Sequence, residues 1–131
     1  PRTLRVFLYM NILDLQEFIQ KLGPVTYDTP FDQDTLVFRI GGKIFLLTSL
    51  ADWENATPKI NIKALPENVE LYKANYTFVH PGYHMNKKHW ITVELSEFKN
   101  FKLISCWIQD AYTLVYKSLP KKTQTELLSK K

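Results

Sequence analysis

Apolar residues recur along this chain with two periods, and the change from one to the other marks out the elements. Leu15, Phe18, Ile19 and Leu22 follow helical spacing behind Asn11, a capping residue, and Gly23-Pro24 ends the run, so the pattern predicts a helix over about 12–22. "DTLVFRIGGKIFLLTSL" (34–50) holds two β-rich stretches around Gly41-Gly42. Glycine at both central positions permits the positive φ values of a tight hairpin turn. "KINIKA" (59–64) alternates strictly, with Ile60 and Ile62 on one face and Lys59, Asn61 and Lys63 on the other, the signature of a half-buried strand with a wet, basic side. Pro66 suits the first turn of a short helix over about 66–74, and "WITVEL" (90–95) reads as another strand. "NFKLISCWIQDAYTLVYKSL" (100–119) sets Ile104, Trp107, Ile108, Ala111 and Val115 on one helical face before Pro120 stops it.

Strands joined by hairpins, with helices before, within and after them, predict an α+β fold. We expect a two-layer sandwich, its sheet largely antiparallel and its helices on one face. The other face is then expected to be open and to present Arg39, Lys59, Asn61 and Lys63. Residues 1–9 read as an N-terminal extension, 10–122 as a single domain and 123–131 as a basic C-terminal tail.

Composition narrows the class. With 45% hydrophobic and 23% charged residues the chain has the balance of a globular domain rather than a disordered one. Its single cysteine, Cys106, excludes an internal disulfide and a Cys-rich zinc cluster and fits a reducing compartment, so a cytoplasmic location is expected. No apolar run reaches the roughly 18 residues of a membrane span. The opening "PRTLRVFLYMNIL" pairs basic residues with a short apolar run, but no small-residue cleavage site follows, and it is not read as a signal peptide.

The net charge of +4 is unevenly spread: residues 1–79 hold 8 basic and 9 acidic side chains, whereas 80–131 hold 9 and 4. A basic C-terminal half is compatible with a polyanionic partner, although lysines 121, 122, 130 and 131 supply much of it.

Candidate chemistry concentrates in "PGYHMNKKHW" (81–90). Lys87 and Lys88 can neutralise phosphates, Asn86 can bond a phosphate or a base edge, and Tyr83 and Trp90 offer flat faces. His84 and His89 add donors, and charge when protonated. The structural alternatives are plain ones: Pro81-Gly82 turns the chain, Trp90 packs inward, and the lysines form a solvated tip. All three histidines, His80, His84 and His89, fall within ten residues. Pro81-Gly82 nevertheless breaks any helix that would align the first two. No carboxylate or thiol completes a ligand set, and the lysine pair would repel a cation, so no metal or cofactor is expected. Catalysis has no motif to support it. Asp28, Asp32 and Asp34 are the residues expected of a turn in "YDTPFDQDT", and Cys106 falls within an amphipathic helix.

"FDQDTLVFRIGGKIFLLTSL" (31–50), "INIK" (60–63), "PGYHMNKKHW" (81–90) and "DAYTLVYKSLPKK" (110–122) together resemble the MmcQ/YjbR family, in the expected order from about Met10 to Lys122. The family pattern matches Asp34, Thr35, Gly42, Lys43, Asn61 and Lys63, then 81–84 and 86–90 in the loop. One departure is Leu65-Pro66-Glu67, where the family commonly has an Asp ahead of the Pro-Glu pair; losing that oxygen removes an N-cap worth about 1 kcal/mol. The resemblance implies a CyaY-like (frataxin-like) fold and the DNA-binding label that family members carry. Frataxin-type iron binding is not carried over, because the first helix offers only Asp14 and Glu17 in place of an acidic ridge.

The expectation is therefore a small, non-enzymatic, monomeric protein binding nucleic acid, duplex DNA in particular. Arg39, Asn61 and Lys63 on the sheet would join Tyr83, His84, Asn86, Lys87, Lys88 and His89 in the loop, with Pro81, Gly82 and Trp90 positioning it. The alternative is a module that recognises a protein or a small ligand with the same loop.

Overall fold

Asn11 opens the first helix through a reciprocal capping box. Its side-chain oxygen accepts from the Asp14 N–H at 2.9 Å, and the Asp14 carboxylate accepts from the Asn11 N–H at 3.2 Å. In the computed structural model, which describes residues 11–82, 85–95 and 101–129, helix α1 (Ile12–Gln20) follows and buries Leu15 and Ile19. The chain then runs through β1 (Val25–Asp28), β2 (Thr35–Ile40), β3 (Lys43–Ser49), a short α2 (Leu50–Glu54), β4 (Lys59–Lys63) and α3 (Pro66–Asn75). It finishes with β5 (Val79–Pro81), β6 (Trp90–Glu94), α4 (Phe101–Ser118) and α5 (Lys121–Ser129).

The strands form one six-stranded antiparallel sheet in the order β1-β2-β3-β4-β6-β5. As the sequence predicts, β2 and β3 meet at a turn in which Gly41 and Gly42 have φ of 58° and 83°. Gly41 also lacks room for a side chain, since a Cβ there would come within 2.6 Å of Leu119.

Two rows of residues cross the sheet from edge to edge. Tyr27, Phe38, Leu46, Ile62, Ile91 and Pro81 lie opposite one another on the helix side. Asp28, Val37, Leu47, Asn61, Thr92 and His80 form the row on the other side. A register shift between Phe38 and Arg39 inserts Phe45 as an extra residue in β3, so Phe45 and Leu46, consecutive in the chain, both enter the core. The helices cover that face with Leu15, Ile19, Val69, Ile104, Trp107, Ile108, Ala111 and Val115 in one continuous cluster.

Two expectations need correction. The second sheet face is not simply open: Val37, Leu47, Thr92 and Trp90 are buried, and Arg39, Lys59, Asn61 and Lys63 are only partly exposed. Nor are residues 123–129 of the basic tail read over 123–131 simply solvated, because α5 buries Leu127 in the core cluster; 130 and 131 lie outside the described residues. The Tyr116 hydroxyl donates to the Gln124 carbonyl, and the Gln124 side chain donates to the Leu119 carbonyl at 2.8 Å, fastening α5 to the end of α4. Residues 1–9, read as an extension, lie outside the described residues.

Candidate functional site

The loop between β5 and β6 is closed at its base by backbone. Gly82 N–H donates to the Trp90 carbonyl at 3.2 Å, and Ala64 N–H donates to the His89 carbonyl at 2.9 Å. The first bond ties the loop's two ends together, and the second ties it to the end of β4. Within the loop the Asn86 side-chain oxygen accepts from the Lys88 N–H at 2.9 Å, and the Asn86 carbonyl accepts from the His89 N–H at 3.1 Å. Asn86 therefore builds a turn with one end of its amide. Lys87 and Lys88 project from that turn, both exposed. Trp90 is buried beneath, and the Lys63 ammonium sits 6.0 Å from its ring centroid. Tyr83 and His84, both named from the sequence, lie outside the described residues.

The sheet contributes less than its sequence suggests. Arg39 is held by Asp28 at 2.7 Å, an ion pair between neighbouring strands. Lys59 faces Asp52 at 3.6 Å, and His80 faces Glu94 at 3.4 Å. Asn61 is engaged in the sheet itself: its oxygen accepts from the Thr92 hydroxyl at 2.5 Å, and its amide nitrogen lies 3.5 Å from the Leu47 carbonyl. These contacts compensate most of the charge on that face. Of the side chains singled out from the sequence, the structure brings together Lys63, Asn86, Lys87, Lys88, His89 and Trp90. It diverts Arg39 and Asn61 to internal partners.

The acidic turn has structural work. Asp32 accepts from the backbone N–H groups of Thr35 and Asp34, which holds its carboxyl below the ordinary value. Asp34 accepts from the Ser49 hydroxyl at 2.6 Å and from the Ala51 N–H at 2.7 Å, using both oxygens to anchor the start of α2.

A feature that sequence reasoning missed lies on the helix side. A cleft of about 400 Å³ opens between the end of β4, α3 and α4, with Lys63, Leu65, Tyr72, Asp110, Leu114 and Lys117 among its lining residues. Trp90 does not line it. The only signal in the sequence was Leu65 in the place of a capping Asp.

Comparison with known proteins places these features in a family. The family model described as YjbR matches residues 20–114. The Escherichia coli O157:H7 protein named as uncharacterised protein YbdF is 42% identical over 95 residues, covering 72% of this chain and 75% of that one. Among solved structures, Deinococcus radiodurans protein DR2400, of the domain DUF419, superposes with a TM-score of 0.78 at 32% identity, over 89% of this chain and 87% of its own. A Pseudomonas syringae protein gives a TM-score of 0.66 at 28% identity, covering 80% of this chain and 98% of that one.

Proposed function

The chain belongs to the YjbR family, and on that premise we propose that it binds nucleic acid, duplex DNA in particular, through the 82–90 loop and Lys63. One observation carries the reading. Lys63, Lys87 and Lys88 have no acidic partner among the described residues, whereas Arg39 and Lys59 are paired. Phosphate contacts are supplied by cations that are free to lose their counterions. Here Lys87 and Lys88 sit on a loop held in shape by Trp90 and the Asn86 turn, and Lys63 flanks it from the end of β4. His89, and in the sequence Tyr83 and His84, add hydrogen-bonding groups beside them.

The activity proposed is binding rather than catalysis, in keeping with an Asp34 whose two oxygens are committed to the α2 terminus. The antiparallel sheet with helices on one face supports a CyaY-like classification. The lone, exposed thiol of Cys106 supports a reducing, cytoplasmic setting.

The test is a titration with a mixed-sequence DNA duplex at several salt concentrations. Three phosphate contacts predict a slope of log K against log salt of about −2.7. Substituting Lys87→Ala together with Lys88→Ala should flatten the slope to about −0.9. A wild-type slope near zero, or one that the double substitution leaves unchanged, overturns the reading.

A further inference from the structure

Leu65 stands at the N-cap of α3, where it forms no side-chain capping bond, and it is 42% exposed. A capping oxygen there would stabilise the helix by about 1 kcal/mol. An exposed leucine instead forgoes that gain and shows apolar surface to the cleft between β4, α3 and α4. The cleft is thus more than a packing fault, and at about 400 Å³ it falls in the range of small-molecule sites.

Its charges are of both signs. Along α4, Asp110, Leu114 and Lys117 follow at spacings of four and three, which puts them on one stripe facing the cleft. Two helical turns, about 10.5 Å of rise, separate Asp110 from Lys117. A long helical side chain leans toward the N-terminus, so Lys117 reaches back toward Asp110. Lys63 borders the cleft at the end of β4, but its ammonium lies over the ring of Trp90, which does not line the cleft. Neither Asp110 nor Lys117 has an ion-pair partner among the described residues. The carboxylate is felt inside the cleft: the Tyr72 phenol is pushed up by burial first and by Asp110 second. Tyr72 is itself fixed by stacking on Trp107 at 4.4 Å between centroids.

We propose that this cleft binds a small amino-carboxylate zwitterion with an apolar side chain, its ammonium at Asp110, its carboxylate at Lys117, and its apolar part against Leu65 and Leu114. A simple anion would meet Asp110 unpaired, and a simple cation would meet Lys117. A molecule carrying both groups satisfies both ends. A free amino acid and a dipeptide share this chemistry and differ in the distance between their ends.

The inference does not depend on nucleic-acid binding, because Asp110, Lys117 and Leu65 lie outside the 82–90 loop. The experiment is an amide NMR titration of the full chain with leucine and with leucyl-leucine, alongside N-acetyl-leucine, leucinamide and the equivalently blocked dipeptides. Shifts should gather at 63–72 and 110–117, and the tighter of the two free probes identifies the source. Blocking either end should weaken binding about tenfold, as expected for loss of one charge-assisted hydrogen bond. Asp110→Asn should abolish the penalty of acetylation alone, and Lys117→Met that of amidation alone. Both positions are exposed, and an unchanged spectrum elsewhere confirms the fold of each variant. Absence of shifts in the cleft at millimolar probe overturns the proposal, and so does equal binding of free and blocked forms.

Discussion

Gly82 and Trp90 are packed so closely that a Cβ on Gly82 would lie 2.7 Å from the Trp90 Cβ and 3.1 Å from its carbonyl oxygen. The same pair exchanges the bond that closes the loop. Glycine is required there by space rather than by backbone angle. What it would strike is the root of a buried indole and the backbone, neither of which can swing aside.

Replacing Gly82 with Ala should therefore force the loop base apart. The expected loss is roughly 1–3 kcal/mol, the range for overpacking a tight contact. It would be read as a lower urea midpoint with an unchanged m-value. A variant as stable as the parent would show that the loop base yields without cost.

Asp34 is expected to act through α2. Asp34→Ala removes both the acceptor for Ala51 N–H and the support of Ser49, the N-cap. It should cost about 1 kcal/mol. Asp34→Asn keeps one acceptor and should cost less. The check is chemical denaturation of both variants, with amide exchange at 50–54 reporting whether that helix opens first.

Leu127 tests whether the last helix belongs to the folded unit. Its side chain is only 8% exposed and contacts the core cluster. Leu127→Ala should destabilise by about 2 kcal/mol, near the low end for a buried leucine because the site lies at the margin of the core. Leu128, 59% exposed, is the control, and Leu128→Ala should leave the midpoint unmoved. Equal effects at the two positions would contradict the packing described.

Asp32 gives a pH dependence whose sign follows from its hydrogen bonds. Two backbone N–H groups favour its ionised form, so its folded value lies below the reference of 3.8. Its contribution is complete above that reference and is lost as pH falls through the lower, folded value. The stability difference between the protein and Asp32→Asn should be constant near neutrality and should shrink progressively in acid below pH 3.8. Thermal melts across that interval measure it, and a difference that grows on acidification would reverse the assignment.

Where local pattern decides the outcome, the sequence was a good guide. Gly41-Gly42 gave the hairpin, strict alternation gave β4, and Asn11 and Pro66 marked helix starts that the structure retains. Elements too short or too mixed to show a period escaped notice. β1 is four residues at a mostly exposed edge, β5 is three and ends in proline, and α2 has five. The last helix was hidden because its lysines outnumber its buried contacts. The sheet face was over-read for a different reason. Asp28 lies 11 residues from Arg39 and Thr92 lies 31 from Asn61, and only strand register brings those partners together. Residue type suggested free polar groups, and register used them up. The cleft required three elements to converge, which no single stretch displays.

The hairpin turn carries a consequence for how the protein is made. Gly41 is roofed by Leu119, and Phe45 packs edge-on against Tyr112, so the apolar side of the hairpin is covered by the last long helix. During synthesis the β2–β3 pair leaves the ribosome well before α4 exists. The local turn allows the hairpin to zip early, yet Phe38, Phe45 and Leu46 then face water on a nascent chain with only α1 of its own to shield them. Those residues define the interval in which this protein is most exposed to aggregation or to capture by a chaperone. Slowing translation between 50 and 101 would lengthen that interval without altering a single contact of the finished fold.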